Sequence, residues 1–222
     1  MDMSRRAFLA CTAAAAMPQR FRLPSSPAAS PSLRCLVLPV PGECSIPESV
    51  KGYCAALPAT RWVRRETWIV PAVLDIPSHI AAMIGAALRR GTTVIVESGG
   101  GFAGRSSFRQ HRRALRDGLQ IDVDAPVDLW ARCGSRRTPY VDYTWLHPAK
   151  IRDFSRVVPI GDQPGEIIAW VDGLPVALKR QVGPGTLIFL GSPLGPALWA
   201  GDAEARSWLL SLAAVPSAGT RA

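Results

Sequence analysis

Residues 92–102 read TTVIVESGGGF, a β-branched apolar run that stops at a carboxylate, a hydroxyl and three glycines. β-Branched side chains pack well on a pleated surface, and clustered glycines end such a run. The stretch therefore reads as a buried strand with a tight corner at its carboxyl end. Working outward, CLVLPV (35–40) and TWIVPAV (67–73) are two earlier strands of the same kind. Between the first two, Ser45 with Glu48 forms a capping-box pattern, Pro47 sits in the first turn, and Ile46, Val50, Tyr53, Cys54 and Leu57 follow at helical spacing. A second helix opens at Pro77-Ser78, carries Ile80, Met83, Ile84, Ala87 and Leu88 on one stripe, and stops at Gly91. After the corner comes a third, with Phe108, Leu115 and Leu119 on its buried side and Arg109, Arg112, Arg113 and Arg116 on a solvated face.

Nearly continuous apolar strands alternating with helices predict a parallel sheet covered on both faces. The expected fold class is α/β: a doubly wound, mainly parallel, flavodoxin-like three-layer sandwich. Ligands of such sheets bind at the carboxyl ends of the strands, which makes the Glu97–Phe102 corner the first place to look for function. The second half changes style. Asp172-Gly173 joins two strand-like runs, Gly183-Pro184-Gly185 leads into the apolar run Thr186–Leu190, and together these predict a C-terminal β-meander. A last helix over Asp202–Ala214 starts on a capping aspartate and puts Ala205, Trp208, Leu209 and Leu212 on one face. The segment TPYVDYTWLHP (138–148) gathers two of the three tyrosines with a tryptophan and a histidine, suited to a ligand cleft, a protein contact or a loop packed on the sheet.

The ends of the 222-residue chain carry a different message. Ser4, the pair Arg5-Arg6, Phe8 and Leu9, followed by an uncharged run to Met17, resemble a twin-arginine export signal. The resemblance implies passage through the Tat translocase and a periplasmic or extracellular location. The run from Ala7 to Met17 is too short to span a hydrocarbon core about 30 Å thick, so no stable membrane span is expected in the mature chain. Cys11 raises a lipid-anchor reading, against which Phe8 and the short apolar run both count. The resulting organisation is a signal peptide over 1–17, a Pro/Ser-rich disordered tether over 18–34, a single domain over 35–214 and a disordered tail over 215–222.

Net charge is +9, but 23 of the 26 basic residues are arginines scattered without interleaved aromatics, which argues against a nucleic-acid partner. Besides Cys11 the cysteines are Cys35, Cys44, Cys54 and Cys133. They form no C-x-x-C pair, and the three histidines stand apart, so neither a metal site nor a cofactor is expected. Four cysteines allow three disulfide connectivities; the apolar settings of Cys35 and Cys54 suit buried thiols, leaving at most one bridge, through Cys44.

The glycine-rich corner after the third strand, the late Gly173-x-Pro175-Val176-Ala177 run and the Gly183-x-Gly185 strand ending in Gly191-Ser192 resemble the class I glutamine amidotransferase-like superfamily, whose remote relatives include domains appended to carbohydrate-active proteins. The resemblance implies a single amidotransferase-like domain over residues 35–214. Catalytic members carry G-x-C-x-G on the elbow and a downstream His-x-Glu. Here the elbow is Val96-Glu97-Ser98-Gly99-Gly100, and neither His111 nor His147 is followed by that glutamate. The implied role is a non-catalytic module of the cell envelope that binds a carbohydrate-related ligand or another envelope protein.

The alternative is a serine hydrolase with Ser98 as nucleophile, which needs a base and a group to orient it. His111 is expected well away, several turns along a helix starting at the corner, which leaves His147, oriented by Asp142 or Asp153. Backbone amides of Gly99, Gly100 and Gly101 at a helix start, with Arg105 one turn in, would instead cradle an anion. Glu97, a carboxylate at the end of a buried strand, is expected to pair with an arginine.

Overall fold

The computed structural model describes residues 35–38, 47–57, 67–99, 102, 104–133, 139–153 and 156–214, all within one compact unit spanning residues 33–222. The stretches expected to be signal, tether and tail lie outside the described residues, together with Cys44, Ser45, Gly100, Gly101 and the side chains of Cys35 and Cys133.

The elements follow in the order β1 (Cys35–Val37), α1 (Pro47–Ala56), β2 (Thr67–Val73), α2 (Ser78–Arg89), β3 (Thr93–Ser98), α3 (Arg105–Leu119), β4 (Val127–Asp128), α4 (Leu129–Cys133), β5 (Tyr140–Tyr143), β6 (Ala149–Arg152), β7 (Arg156–Val157), β8 (Glu166–Val171), β9 (Leu174–Val182), β10 (Gly185–Leu190), α5 (Gly195–Trp199) and α6 (Ala203–Ala214). Eight strands form one sheet in the order β1-β2-β3-β10-β9-β8-β5-β6, and β4 pairs separately with β7.

The pairing overturns the expected doubly wound, mainly parallel, flavodoxin-like sheet. Only β1–β2, β2–β3 and β3–β10 run parallel; β10–β9, β9–β8, β8–β5 and β5–β6 are antiparallel. Nor is the late meander an appendage. β10 inserts beside β3, Leu190 opposite Glu97, so β8, β9 and β10 are three central strands of one eight-stranded mixed sheet. The physical reason is that β10, and β8 and β9 over Ile167–Ala169 and Val176–Leu178, are apolar on both faces like the early strands. Continuous apolarity reports burial by covering layers and is silent on strand direction. The β8–β9 turn at Asp172 (φ 49°) and Gly173 (φ 77°) has the two left-handed residues of a type I′ hairpin.

Alternation along each strand feeds two cores. Ile69, Ile95, Ile188 and Leu190 face one side with Tyr53 of α1, Ala197 of α5 and Trp208 of α6. Val70, Val94, Val96, Leu187 and Phe189 face the other with Ile84 and Leu88 of α2 and Leu115 and Leu119 of α3. Ala205, Trp208, Leu209 and Leu212 are all buried, and Asp202 caps α6 by accepting the Ala205 N–H at 3.0 Å. Met83 is instead 44% exposed on α2, and Cys54 is exposed on α1, correcting the apolar stripe and the buried-thiol reading. α1 and α5 pack backbone to backbone: a Cβ at Gly52 would stand 1.9 Å from the Gly195 carbonyl oxygen. At the outer edge, Glu204 accepts the Lys150 N–H at 2.9 Å and blunts β6 as a pairing template. No helix among the described residues is long and apolar enough to cross a membrane.

Candidate functional site

The end of β3 places two polar residues in succession, and strand alternation sends them to opposite faces. Glu97 points toward α1 and α5; Ser98 points toward α3. Both are fully buried.

Glu97 has no arginine partner among the described residues. Its Oε2 accepts the Ser49 hydroxyl at 2.7 Å and the Ala72 N–H at 3.1 Å. Its Oε1 accepts the Tyr53 hydroxyl and the N–H groups of Leu194 (2.7 Å) and Gly195 (3.3 Å). Each donor is delivered by a local feature. Ser49 and Tyr53 lie one helical turn apart on α1. Ala72 sits in a register shift of β2 between Val70 and Val73, with φ at 35°, a left-handed conformation an alanine seldom adopts. Leu194 and Gly195 begin α5, whose first amides lack helical partners. Burial pushes the Glu97 carboxyl above its ordinary range, while the Tyr53 and Ser49 hydroxyls and the Leu194 and Ala72 amides pull it back. The expected arginine partner is thus replaced by two hydroxyls and three backbone amides, which satisfy the carboxylate without burying a second charge.

On the same face, Asp153 accepts the Ser192 hydroxyl, and both residues are buried. Tyr143 lies close enough to Glu97 and Asp153 for their charges to add to burial in holding its phenol well above the ordinary range. Sequence reasoning named Asp153 only as a helper for His147 and missed this buried polar group. Its one visible signal was Ser192, two residues past the end of the strand that pairs with β3.

Ser98 has a histidine after all. His111 Nε2 lies 2.8 Å from Ser98 Oγ, overturning the expectation that His111 sits far away. The helix starts at Arg105 and not at the corner, so His111 lies under two turns in, and helical side chains lean back toward the amino terminus. His147 does not approach. It lies on the turn between β5 and β6, four strands from β3 or about 19 Å at the usual strand spacing.

His111 is fully buried, packed 5.0 Å from the Phe102 ring, and burial lowers its pKa to about 4. Its Nδ1 has no hydrogen-bond partner among the described residues. Ser98 Oγ also reaches the Gly99 carbonyl oxygen at 3.4 Å. The tautomer of lowest buried cost has Nε2–H donating to Oγ, Oγ–H donating to Gly99 O, and a bare lone pair at Nδ1, since an unpaired N–H would cost more. In that state the imidazole donates to the serine and takes no proton from it.

The anion cradle loses its first member. The Gly99 N–H donates to Val73 O at 2.8 Å, Gly100 and Gly101 fall outside the described residues, and Gly104, in extended conformation, precedes α3. Arg105 is exposed at the helix start. A groove of about 720 Å³ lies between α2 and α3, floored by Ala81, Ala82, Gly85, Ala114 and Gly118 and rimmed by charges of both signs. No group of three or more His, Cys, Asp or Glu able to hold a metal ion occurs among the described residues.

No family model and no curated protein matches the sequence. Among solved structures, the chain is similar to a polyextremophilic β-galactosidase from the haloarchaeon Halorubrum lacusprofundi, with TM-score 0.51 and 16% identity over 83% of this chain and 31% of that one. It is also similar to the exo-β-1,4-mannosidase Op5Man5 from Opitutaceae bacterium strain TAV5 (TM-score 0.48, 14% identity, 66% and 25% covered). A third likeness is to α-L-fucosidase isoenzyme 2 from Paenibacillus thiaminolyticus (TM-score 0.47, 12% identity, 75% and 28% covered). The chain spans about a quarter to a third of the length of these proteins, and the likeness to the β-galactosidase concerns the fold alone.

Proposed function

We propose that this chain is an exported module of the cell envelope that works by binding, a non-catalytic member of the class I glutamine amidotransferase-like superfamily. The observation that carries the reading is that Ser98 and His111 are both fully buried, and the histidine's second nitrogen has no partner among the described residues. A nucleophilic serine must be reachable by substrate and its base must be oriented by a third group. Glu97, the nearest carboxylate in sequence, faces the opposite side of the sheet and already accepts from hydroxyls and amides. The superfamily resemblance places a carbohydrate-related ligand first among ligands and another envelope protein second.

The 2.8 Å contact between Ser98 and His111 favours one second reading, a serine hydrolase. A fluorophosphonate probe separates the two. The native protein is expected to remain unlabelled at Ser98, and Ser98→Ala to change no measured binding; stoichiometric labelling abolished by that substitution would install the hydrolase. Export has its own test. Replacing Arg5 and Arg6 by lysines is expected to hold the precursor in the cytoplasm, scored by fractionation, and secretion at the unaltered rate would remove the twin-arginine assignment.

A further inference from the structure

Strand β5 alternates cleanly: Val141 and Tyr143 enter the core shared with α6, while Tyr140 and Asp142 stand exposed on the opposite face. Register then builds a small surface around them. Trp170 of β8 lies directly opposite Asp142. On the other side, Lys150 of β6 lies opposite Asp142 and Arg152 opposite Tyr140. Tyr140 and Trp170 are therefore diagonal neighbours about 7–8 Å apart along the backbone. Both rings are open to solvent, at 47% and 36% exposure. The opposite half of the same sheet face, at β3 and β10, is covered by α2 and α3.

We propose that this face of β8, β5 and β6 is a saccharide platform, on which Trp170 and Tyr140 stack against the apolar faces of neutral sugar rings while Asp142 and Lys150 hydrogen-bond their hydroxyls. Two features select that ligand. Large aromatic side chains left in water on a sheet face carry unsatisfied apolar area at a polar rim, the arrangement used to hold an amphipathic partner. Asp142 and Lys150 lie 3.4 Å apart, with side chains 55% and 77% exposed, so the pair is neutral as a unit yet presents an acceptor and a donor side by side. Hydroxyl groups, which both donate and accept, match that pair, and Arg152 opposite Tyr140 sets further donors at the edge of the rings. A protein partner is the weaker fit: charges are depleted at the centres of protein interfaces, and here they alternate with the rings.

The proposal rests on the binding-module reading and names its ligand. Calorimetric titration of the full chain with cellohexaose, mannohexaose and a linear β-1,4-galactan hexamer tests it. Saturable binding to at least one is expected, in the millimolar range or tighter. Trp170→Ala and Tyr140→Ala should each weaken it about tenfold or more, and Asp142→Ala should weaken it too, while thermal midpoints stay close to that of the native chain because these side chains are exposed. Absence of saturation with all three sugars, or binding undiminished in Trp170→Ala, overturns the proposal. So does a concentration-dependent dimer that Trp170→Ala dissociates, since the face would then serve a second copy of the chain. Labelling of Ser98 by fluorophosphonate would overturn the non-catalytic reading and leave these titrations to stand or fall alone.

Discussion

Glu97→Ala is expected to destabilise the fold by about 3–5 kcal/mol, measured as a fall in the urea midpoint at unchanged slope. The carboxylate ties β3 to α1 through Ser49 and Tyr53, to the irregular turn of β2 through Ala72, and to the start of α5 through Leu194 and Gly195. Alanine leaves these donors buried without an acceptor and opens a cavity among them. Glu97→Gln should cost less, because the Ser49 hydroxyl can turn to accept from the new amide; the Ala72 N–H cannot and would face another donor. A loss below about 1 kcal/mol for alanine would show that the network carries little of the fold.

His111 predicts a pH dependence with a definite sign. Its pKa is about 4 in the folded state against 6.5 when unfolded, so between those values the unfolded chain binds the extra proton. The stabilisation is fully present above pH 6.5 and is lost as pH falls through 4. The shift corresponds to on the order of 3 kcal/mol. Glu97 contributes the opposite sign, because its folded pKa is raised and its contribution declines as pH rises above 4.5. Comparing the native chain with His111→Phe cancels the Glu97 and surface carboxylate contributions. The difference in unfolding free energy between the two is expected to shrink or invert from pH 6.5 to 4. A difference that stays constant across this window would mean that His111 is charged, or reached by water, in the folded state.

Local chemistry was legible wherever it was decided within one element. Residues 67–73 form β2 as their apolar β-branched run implies, Gly91 ends α2 with φ at 87°, and Asp172-Gly173 makes the hairpin turn. Direction and neighbourhood were not legible, because they are set by partners far along the chain. Residues 138–148 read as an aromatic segment of unsettled role, and Tyr140–Arg152 is in fact the β5–β6 hairpin, whose alternation is too short to stand out. The candidate site divided in the same way. Ser98 and Glu97 were marked by their odd place at the end of an apolar strand, yet period-two alternation, the property that identified the strand, also separates them onto different faces. The distance to His111 was misjudged because three glycines concealed where the helix begins.

The position of β10 has a consequence for how the molecule comes into being. Thr93 waits for Thr186, and Glu97 for Leu194, nearly a hundred residues later. A ribosome that has emitted everything up to residue 184 has made a chain with two raw borders, on β3, apolar over Val94–Val96, and on β9, apolar over Val176–Leu178, each ready to adopt a stranger. Ageing of such unfinished chains, and of any fragment cut before Gly185, should lead to clumping, and residues 185–214 decide whether the two halves of the sheet join.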